Sequence, residues 1–332
     1  MRCFRPPVRA LVVFCAMLLA TAASAIELGL PAQCTLGTDC FVQQYPDMDA
    51  GAGVADPYCG SATYDGHDGT DLRIMSMADV ARGVPVLAMA DGTVLRSRDG
   101  VPDHVVTSDA DRAAVADKEC GNGMIVELAE GFEVQYCHMR QGSLVVKPGD
   151  QVTRGQKLGE IGASGLAQFP HVHVTVRHDG TKIDPVTGHE LAAGCLKPGE
   201  TGQPLFSLEL LAALGKGDTQ LIAFGLAGGP VDHAALSVSG PPPQATSASP
   251  ALVGWGWFIN LRKGDRTIVQ LSRQDGEAIA VNRSDPTDRA KASFAAFAGK
   301  KGAPLPGVYE VNVAVERDGA VLFQRKGTYT IE

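Results

Sequence analysis

The stretch MIVELAEGFEVQYC, from Met124 to Cys137, decides the fold class. Two apolar runs lie on either side of a Glu-Gly pair, which is the pattern of a β-hairpin. The segment FPHVHVTV, residues 169–176, alternates with a period of two, as a strand does. Residues 147–162, KPGDQVTRGQKLGEIG, carry repeated glycine turns. Together these patterns predict an all-β, mainly antiparallel domain, built from hairpins over residues 61–190.

Residues 219–332 form a second predicted domain, smaller than the first. Its apolar segments are short and are separated by turn residues, which favours a β-sandwich of the immunoglobulin-like type. The predicted strands are Thr219–Ala227, Leu252–Asn260, Thr267–Leu271, Tyr309–Glu316 and Ala320–Arg325. Residues 191–218 are expected to connect the two domains and to include a short helix from Leu205 to Leu214. Residues 26–60 show few periodic apolar positions and are expected to be irregular.

The first 25 residues have the pattern of a secretory signal peptide. Three arginines precede an apolar stretch that is too short to span a bilayer, and Ala23-Ser24-Ala25 matches a cleavage site. Removal of the three arginines would change the formal net charge from −8 to −11. An acidic exported chain argues against nucleic acid or an anionic membrane as partner. We therefore expect a periplasmic or secreted protein, with no membrane insertion after cleavage.

Six cysteines would remain after cleavage, and an even number in an exported chain favours three disulfides. The six are Cys34, Cys40, Cys59, Cys120, Cys137 and Cys195. Proximity in sequence suggests only the Cys34–Cys40 pair, and fifteen connectivities are open in principle. Zinc binding by these cysteines is the rival interpretation, although the chain has no C-x2-C pair among them.

Two clusters of histidine and aspartate stand out as candidate metal ligands. His67 and Asp71 are spaced H-x3-D, and further along the chain the sequence reads Y-x-H at Tyr136 and H-x-H at His171. The clusters contain His67, Asp71, Tyr136, His138, His171 and His173. Residues two apart on a strand share a face, so Tyr136 and His138 should point one way, and so should the H-x-H pair. Three ligands with an open fourth position would make a catalytic zinc site, whereas four would make a closed structural one.

In combination, five segments resemble the M23 family of zinc metallopeptidases, the lysostaphin and LytM-type group. They are GHDGTDL (66–72), GVPVLAMADGTV (83–94), QYCHM (135–139), VKPGDQVTRGQKLGEIGASG (146–165) and FPHVHVTV (169–176). The resemblance covers roughly residues 64–185. It implies one zinc ion bound by His67, Asp71 and His173, and it implies catalytic roles for His138 and His171. The chain departs from the family in a long polar insertion between Val94 and Gly123, where residues 99–118 predict one helical turn.

The family resemblance implies hydrolysis of peptide bonds in peptidoglycan stem peptides or crosslinks. A glycosidic bond is disfavoured, because its hydrolysis needs two flanking carboxylates. An amidase acting at the start of the stem peptide would use similar chemistry and stays open. Two other classes are a non-catalytic activator of wall amidases, which would lack some metal ligands, and a lipoyl-type carrier, which shares the glycine-rich hairpins.

Overall fold

The computed structural model describes residue 1 and residues 26–332, so the predicted signal peptide lies almost wholly outside the described residues. Within the described residues, no helix is both long enough and apolar enough to cross a membrane.

Residues 26–332 fold into strands joined by turns, with four brief α-helices. The strands before residue 190 are β1 (Cys40–Gln44), β2 (Thr70–Ile74), β3 (Pro85–Leu87), β4 (Gly92–Arg98), β5 (Asn122–Glu127), β6 (Phe132–Met139), β7 (Gln151–Val152), β8 (Lys157–Glu160), β9 (His171–His178) and β10 (Thr181–Ile183). The later strands are β11 (Gln220–Ala227), β12 (Ala251–Leu261), β13 (Arg266–Arg273), β14 (Ala278–Arg283), β15 (Lys291–Lys301), β16 (Gly307–Arg317) and β17 (Ala320–Ile331). The helices are α1 (Met77–Arg82), α2 (Asp109–Ala114), α3 (Leu208–Leu214) and α4 (His233–Ser239).

Strands β1 to β10 make up the N-terminal unit, whose main sheet has the order β1-β2-β9-β6-β5-β4-β7, with β10 beside β9. All of its pairings are antiparallel, which confirms the predicted fold class. The predicted β5–β6 hairpin and the β9 strand are also confirmed. In the register of β2 and β9, Asp71 lies opposite His173 and Arg73 opposite His171. The sheet therefore brings the two sequence clusters together at its centre.

The N-terminal segment is more ordered than its sequence suggested. Residues 40–44 form β1, all five of them buried, and this strand adds to the edge of β2. Leu28 and Tyr45 are both fully buried in the core of the N-terminal unit. The expectation of an irregular segment was therefore wrong over these residues, because tertiary packing stabilises a strand that has little periodicity of its own.

Strands β11 to β17, with α4, make up the C-terminal unit. One sheet has the order β11-β12-β15 and the other the order β14-β13-β16-β17. An apolar cluster that includes Leu226, Phe258, Val269 and Val313 draws on strands of both sheets, as in a sandwich. The sequence prediction missed β14, β15 and α4. The predicted connector helix is present as α3, but it begins at Leu208, after the cap residue Ser207.

The two units share an apolar interface. Phe41 of β1 packs in one cluster with Leu236 of α4 and with Trp255 and Trp257 of β12. The outer face of the β1–β2 edge is therefore covered by the C-terminal unit.

The part of the chain that the structure describes contains three disulfides, as predicted. They join Cys34 to Cys40, Cys59 to Cys195 and Cys120 to Cys137. The third lies next to His138, whose backbone N–H donates to the carbonyl oxygen of Cys120 at 2.8 Å. This bond and the disulfide together fix the end of β6.

Loss of the Cys120–Cys137 disulfide should destabilise the N-terminal unit by roughly 2–5 kcal/mol, because the unfolded chain regains the freedom of the closed loop. Thermal unfolding of a Cys120→Ser/Cys137→Ser variant measures the effect. Cys34→Ser/Cys40→Ser is the control, since that pair is only six residues apart and a shorter loop predicts a smaller loss. Equal melting curves for wild type and the Cys120/Cys137 variant would contradict the prediction.

Candidate metal centre and active site

Three buried side chains from both sequence clusters converge on one point. Nε2 of His67 lies 3.1 Å from Oδ1 of Asp71 and 3.2 Å from Nδ1 of His173. Nδ1 of His173 lies 2.8 Å from the same carboxylate oxygen. Candidate ligand atoms of the three residues all lie within 4.8 Å of one another. Two imidazole nitrogens and one carboxylate oxygen are a donor set that fits zinc and leaves one position for water or substrate.

Hydrogen bonds at the far side of each ring orient these donors. Nδ1 of His67 donates to the carbonyl oxygen of Tyr45 at 2.7 Å, so Nε2 keeps its lone pair for a metal. Nε2 of His173 lies 3.2 Å from Oδ1 of Asp68 and 3.1 Å from the hydroxyl of Thr175. A hydrogen on this Nε2 leaves the lone pair on Nδ1. Both tautomers are thus the ones that a metal at this point requires.

Asp68 is a functional candidate that the sequence analysis did not single out. Its carboxylate bonds to His173 and also pairs with Nζ of Lys182 at 2.6 Å. Burial of His173 disfavours its charged form, but hydrogen bonds to Asp68 and Asp71 outweigh burial and raise its pKa to about 9. Binding of a metal at Nδ1 would therefore release the proton that this nitrogen shares with Asp71. The sequence shows Asp68 as a carboxylate adjacent to His67, but only the fold shows that this carboxylate contacts His173.

Close packing at Gly69 explains the short loop between His67 and Asp71. A Cβ atom at Gly69 would lie 2.6 Å from Nε2 of His173 and would also overlap the carbonyl oxygen of Val174. A side chain at this position would therefore displace one of the candidate ligands, as the tight approach expected at this glycine implies.

His138 and His171 lie beside the three donors, but their Nδ1 atoms form hydrogen bonds outside this donor group. Each Nδ1 donates to a backbone carbonyl, that of Ser164 at 2.8 Å for His138 and that of Phe169 at 2.7 Å for His171. Their rings are 4.5 Å apart, and Nε2 of His171 is 3.5 Å from Oδ1 of Asp71. Burial lowers the pKa of both imidazoles. Two neutral imidazoles, each with a lone pair on Nε2, therefore lie next to the candidate metal position.

Tyr136 does not join this site. Its side chain is fully buried in the core, and its hydroxyl accepts a hydrogen bond from the backbone N–H of Met89 at 2.8 Å. The expectation that it would share a face with His138 was wrong because of a bulge. Met124 of β5 pairs with Tyr136 of β6, and Asn122 pairs with Met139, so β6 has one more residue than β5 between these two pairs. His138 lies in this bulge and has a φ of 60°.

The histidines open into a cleft with a volume of about 470 Å³. Besides His138, His171, His173 and Asp71, residues from several other parts of the chain line this cleft. They include Tyr64 near β2, Arg112 of α2 in the polar insertion, and Ala290 and Ala292 at the start of β15. The wall that the sequence left undefined is thus supplied partly by the insertion and partly by the C-terminal unit.

Residues 65–185 match the family model described as Peptidase family M23. This part of the chain is an M23 peptidase domain. The match begins just before His67 and ends at Pro185, so it contains all five residues of the candidate site. It also confirms the resemblance that the motifs indicated.

Similar proteins match over the M23 domain. An uncharacterized metalloprotease of Haemophilus influenzae is 30% identical over 121 residues, which cover 36% of this chain and 20% of the relative. The peptidoglycan DD-endopeptidase ShyA of Vibrio cholerae is 24% identical over 137 residues, 41% of this chain and 26% of the relative. The chain therefore spans only about a fifth to a quarter of the length of these relatives. Among solved structures, a mutant catalytic domain of the prophage-encoded M23 protein EnpA from Enterococcus faecalis aligns with 21% identity and a TM-score of 0.32, covering 49% of this chain and 95% of that one.

Removing the carboxylate behind His173 should weaken metal binding. We expect Asp68→Ala to lower zinc affinity about 10–100-fold, because a carboxylate that accepts from a ligating histidine orients the ring and makes it a better ligand. Competition with a chromogenic chelator measures the affinity. Lys182→Met is the control, since it removes the ion pair of Asp68 but leaves the contact with His173. Wild-type zinc affinity in Asp68→Ala would contradict this role.

Proposed function

We propose that the protein is a zinc-dependent endopeptidase that hydrolyses peptide bonds in peptidoglycan stem peptides or their crosslinks. One observation carries the proposal. Three buried donors that fit a metal lie beside two further imidazoles that are not needed to hold it, and Asp71, His138, His171 and His173 line one cleft in an M23 domain. The Vibrio cholerae relative is a peptidoglycan DD-endopeptidase, which supports the substrate class.

In this proposal His67, Asp71 and His173 hold the zinc ion. A bound zinc ion supplies Lewis acidity that activates a water and polarises the scissile carbonyl. Nε2 of His138 or His171 takes a proton from the attacking water and returns one to the leaving amine, which is general acid–base catalysis. When protonated, the same nitrogen donates a hydrogen bond to the oxyanion that develops on the carbonyl.

The charge of the cleft supports peptide hydrolysis over glycoside hydrolysis. Asp71 is the one carboxylate among the residues described as lining the cleft, and in this proposal it ligates the metal. Asp68 is engaged by His173 and Lys182. A glycosidase would need a second free carboxyl group on the opposite side of the sugar bond.

Export to the periplasm or the cell exterior is part of the proposal. The three disulfides favour an oxidising compartment, and the pattern of residues 1–25 favours a cleaved signal peptide. Peptidoglycan lies in that same compartment.

Digestion of purified peptidoglycan by the full chain, with and without a chelator, tests this function. Mass spectrometry should show new amino termini inside the peptides, and the chelator should abolish them. Release of intact stem peptides would instead indicate an amidase, and new reducing sugars would refute both. Binding to the wall without any cleavage would favour the non-catalytic class.

A further inference from the structure

The interface between the two units contains an arginine in an unusual environment. Arg73 of β2 is fully buried, and among residues 26–332 it forms no salt bridge with a carboxylate. Its guanidinium instead lies against two aromatic rings, 4.6 Å from the centre of Trp257 and 4.9 Å from the centre of Phe169. A desolvated cation between aromatic faces is held by cation–π attraction. The arginine thus depends on one ring from each unit.

Hydrogen bonds to the same guanidinium fix its orientation. It donates to the side chain of Gln43, to the carbonyl oxygens of Ile74 and Met75, and to the hydroxyl of Ser237 at 3.4 Å. Ser237 belongs to α4 of the C-terminal unit. Burial lowers the pKa of Arg73 to about 9, which reflects how completely water is excluded from it.

Trp257 is itself held in place. Its indole N–H donates to the hydroxyl of Ser293 at 2.9 Å, and His233 binds that hydroxyl at 2.8 Å. Ser293 lies on β15 next to Ala292, which lines the cleft. The residues that anchor Trp257 and the residues that form the cleft wall are therefore neighbours in the C-terminal unit.

On the other side, Phe169 connects the arginine to the active site. Its ring centre is 4.5 Å from that of His171, and its carbonyl oxygen accepts the hydrogen bond that sets the tautomer of His171. A continuous series of contacts runs from Trp257 through Arg73 and Phe169 to His171.

We propose that the C-terminal unit is a working part of the catalytic cleft. Trp257 and Arg73 are positioning residues that hold Phe169 against His171, while Ala290 and Ala292 form one wall of the cleft. The proposal rests on the proposed peptidase function, which makes His171 a catalytic residue. It assigns a role in catalysis, rather than a spacer role, to a unit whose own sequence carries no catalytic motif.

The test compares two aromatic residues on adjacent positions of β12. Trp257→Leu removes the ring that faces Arg73, whereas Phe258→Leu removes a fully buried ring that faces the interior of the sandwich. We expect Trp257→Leu to lower kcat about 10- to 100-fold, since small displacements of a catalytic group have effects of this size. Its zinc content should be unchanged, because the ring of Trp257 lies against Arg73 and is not one of the three metal donors. Trp257→Phe keeps an aromatic face and should restore most of the turnover.

Phe258→Leu controls for a general loosening of the C-terminal unit. All variants are assayed at a temperature where each is folded by circular dichroism. If Phe258→Leu loses as much kcat as Trp257→Leu, or if Trp257→Leu loses none, the positioning role is wrong.

A readout without substrate separates this proposal from the proposed function. The imidazole NMR signal of His171 senses the ring current of Phe169, so it should shift in Trp257→Leu and stay in place in Phe258→Leu. A wild-type chain that cleaves nothing would refute the peptidase function. An unshifted His171 signal in Trp257→Leu would refute the positioning role, whatever the activity.

Discussion

His67→Ala and Asp71→Ala should each lose bound zinc and turnover together. Each change deletes one of three protein donors that meet at one point. Loss of a residue that only supports a ligand costs about 10–100-fold in metal affinity, so loss of a ligand should exceed about 100-fold. Metal analysis after gel filtration, with turnover measured on the same samples, gives the result.

Asp285→Ala is a suitable control for these two variants, because this carboxylate is exposed on a loop of the C-terminal unit. It should keep both zinc and activity. Full zinc occupancy in His67→Ala and Asp71→Ala would show that the ligand assignment is incorrect, even if turnover were lost.

His138→Ala and His171→Ala should keep their zinc but lose turnover by about 10²–10⁴-fold each. Neither imidazole is one of the three grouped donors, and each presents Nε2 beside them. Because burial lowers the pKa of both groups, they stay neutral below the usual histidine pKa of about 6.5. The wild-type rate should therefore persist as the pH falls through that value, and the decrease of the rate in acid should begin at a lower pH.

The matched control is His178→Ala, since His178 is an exposed histidine at the end of β9, the strand that also carries His171. It should behave as wild type. Undiminished turnover in either His138→Ala or His171→Ala would remove that residue from the mechanism, and loss of zinc would make it a ligand instead.

Strong local patterns could be read from the sequence because their period is a property of the strand itself. The alternation around His171 predicted β9 with both histidines on one face, and the short spacing of Cys34 and Cys40 predicted their disulfide. The bulge at His138 could not be predicted in this way. It depends on the register between β5 and β6, which is a relation between two segments rather than a pattern within one.

The roles of residues that depend on distant partners also could not be predicted from the sequence. Asp68 matters because it reaches His173, about a hundred residues away, and Arg73 matters because Trp257 covers it. Strand β1 pairs with β2, and the core of the N-terminal unit buries one of its faces while the C-terminal unit buries the other. In each case the stabilising interaction is a tertiary contact, which produces no periodic pattern in the local sequence.

The apolar interface around Phe41 also limits how the chain can be divided. Cut after residue 190, the N-terminal unit would expose Phe41 and the guanidinium of Arg73, both of which pack against tryptophans of β12. Exposed apolar patches of this kind promote self-association. The M23 domain is therefore not suited to expression alone or within a fusion protein. Inactivity of such a fragment would result from loss of the C-terminal unit rather than from the chemistry of its site.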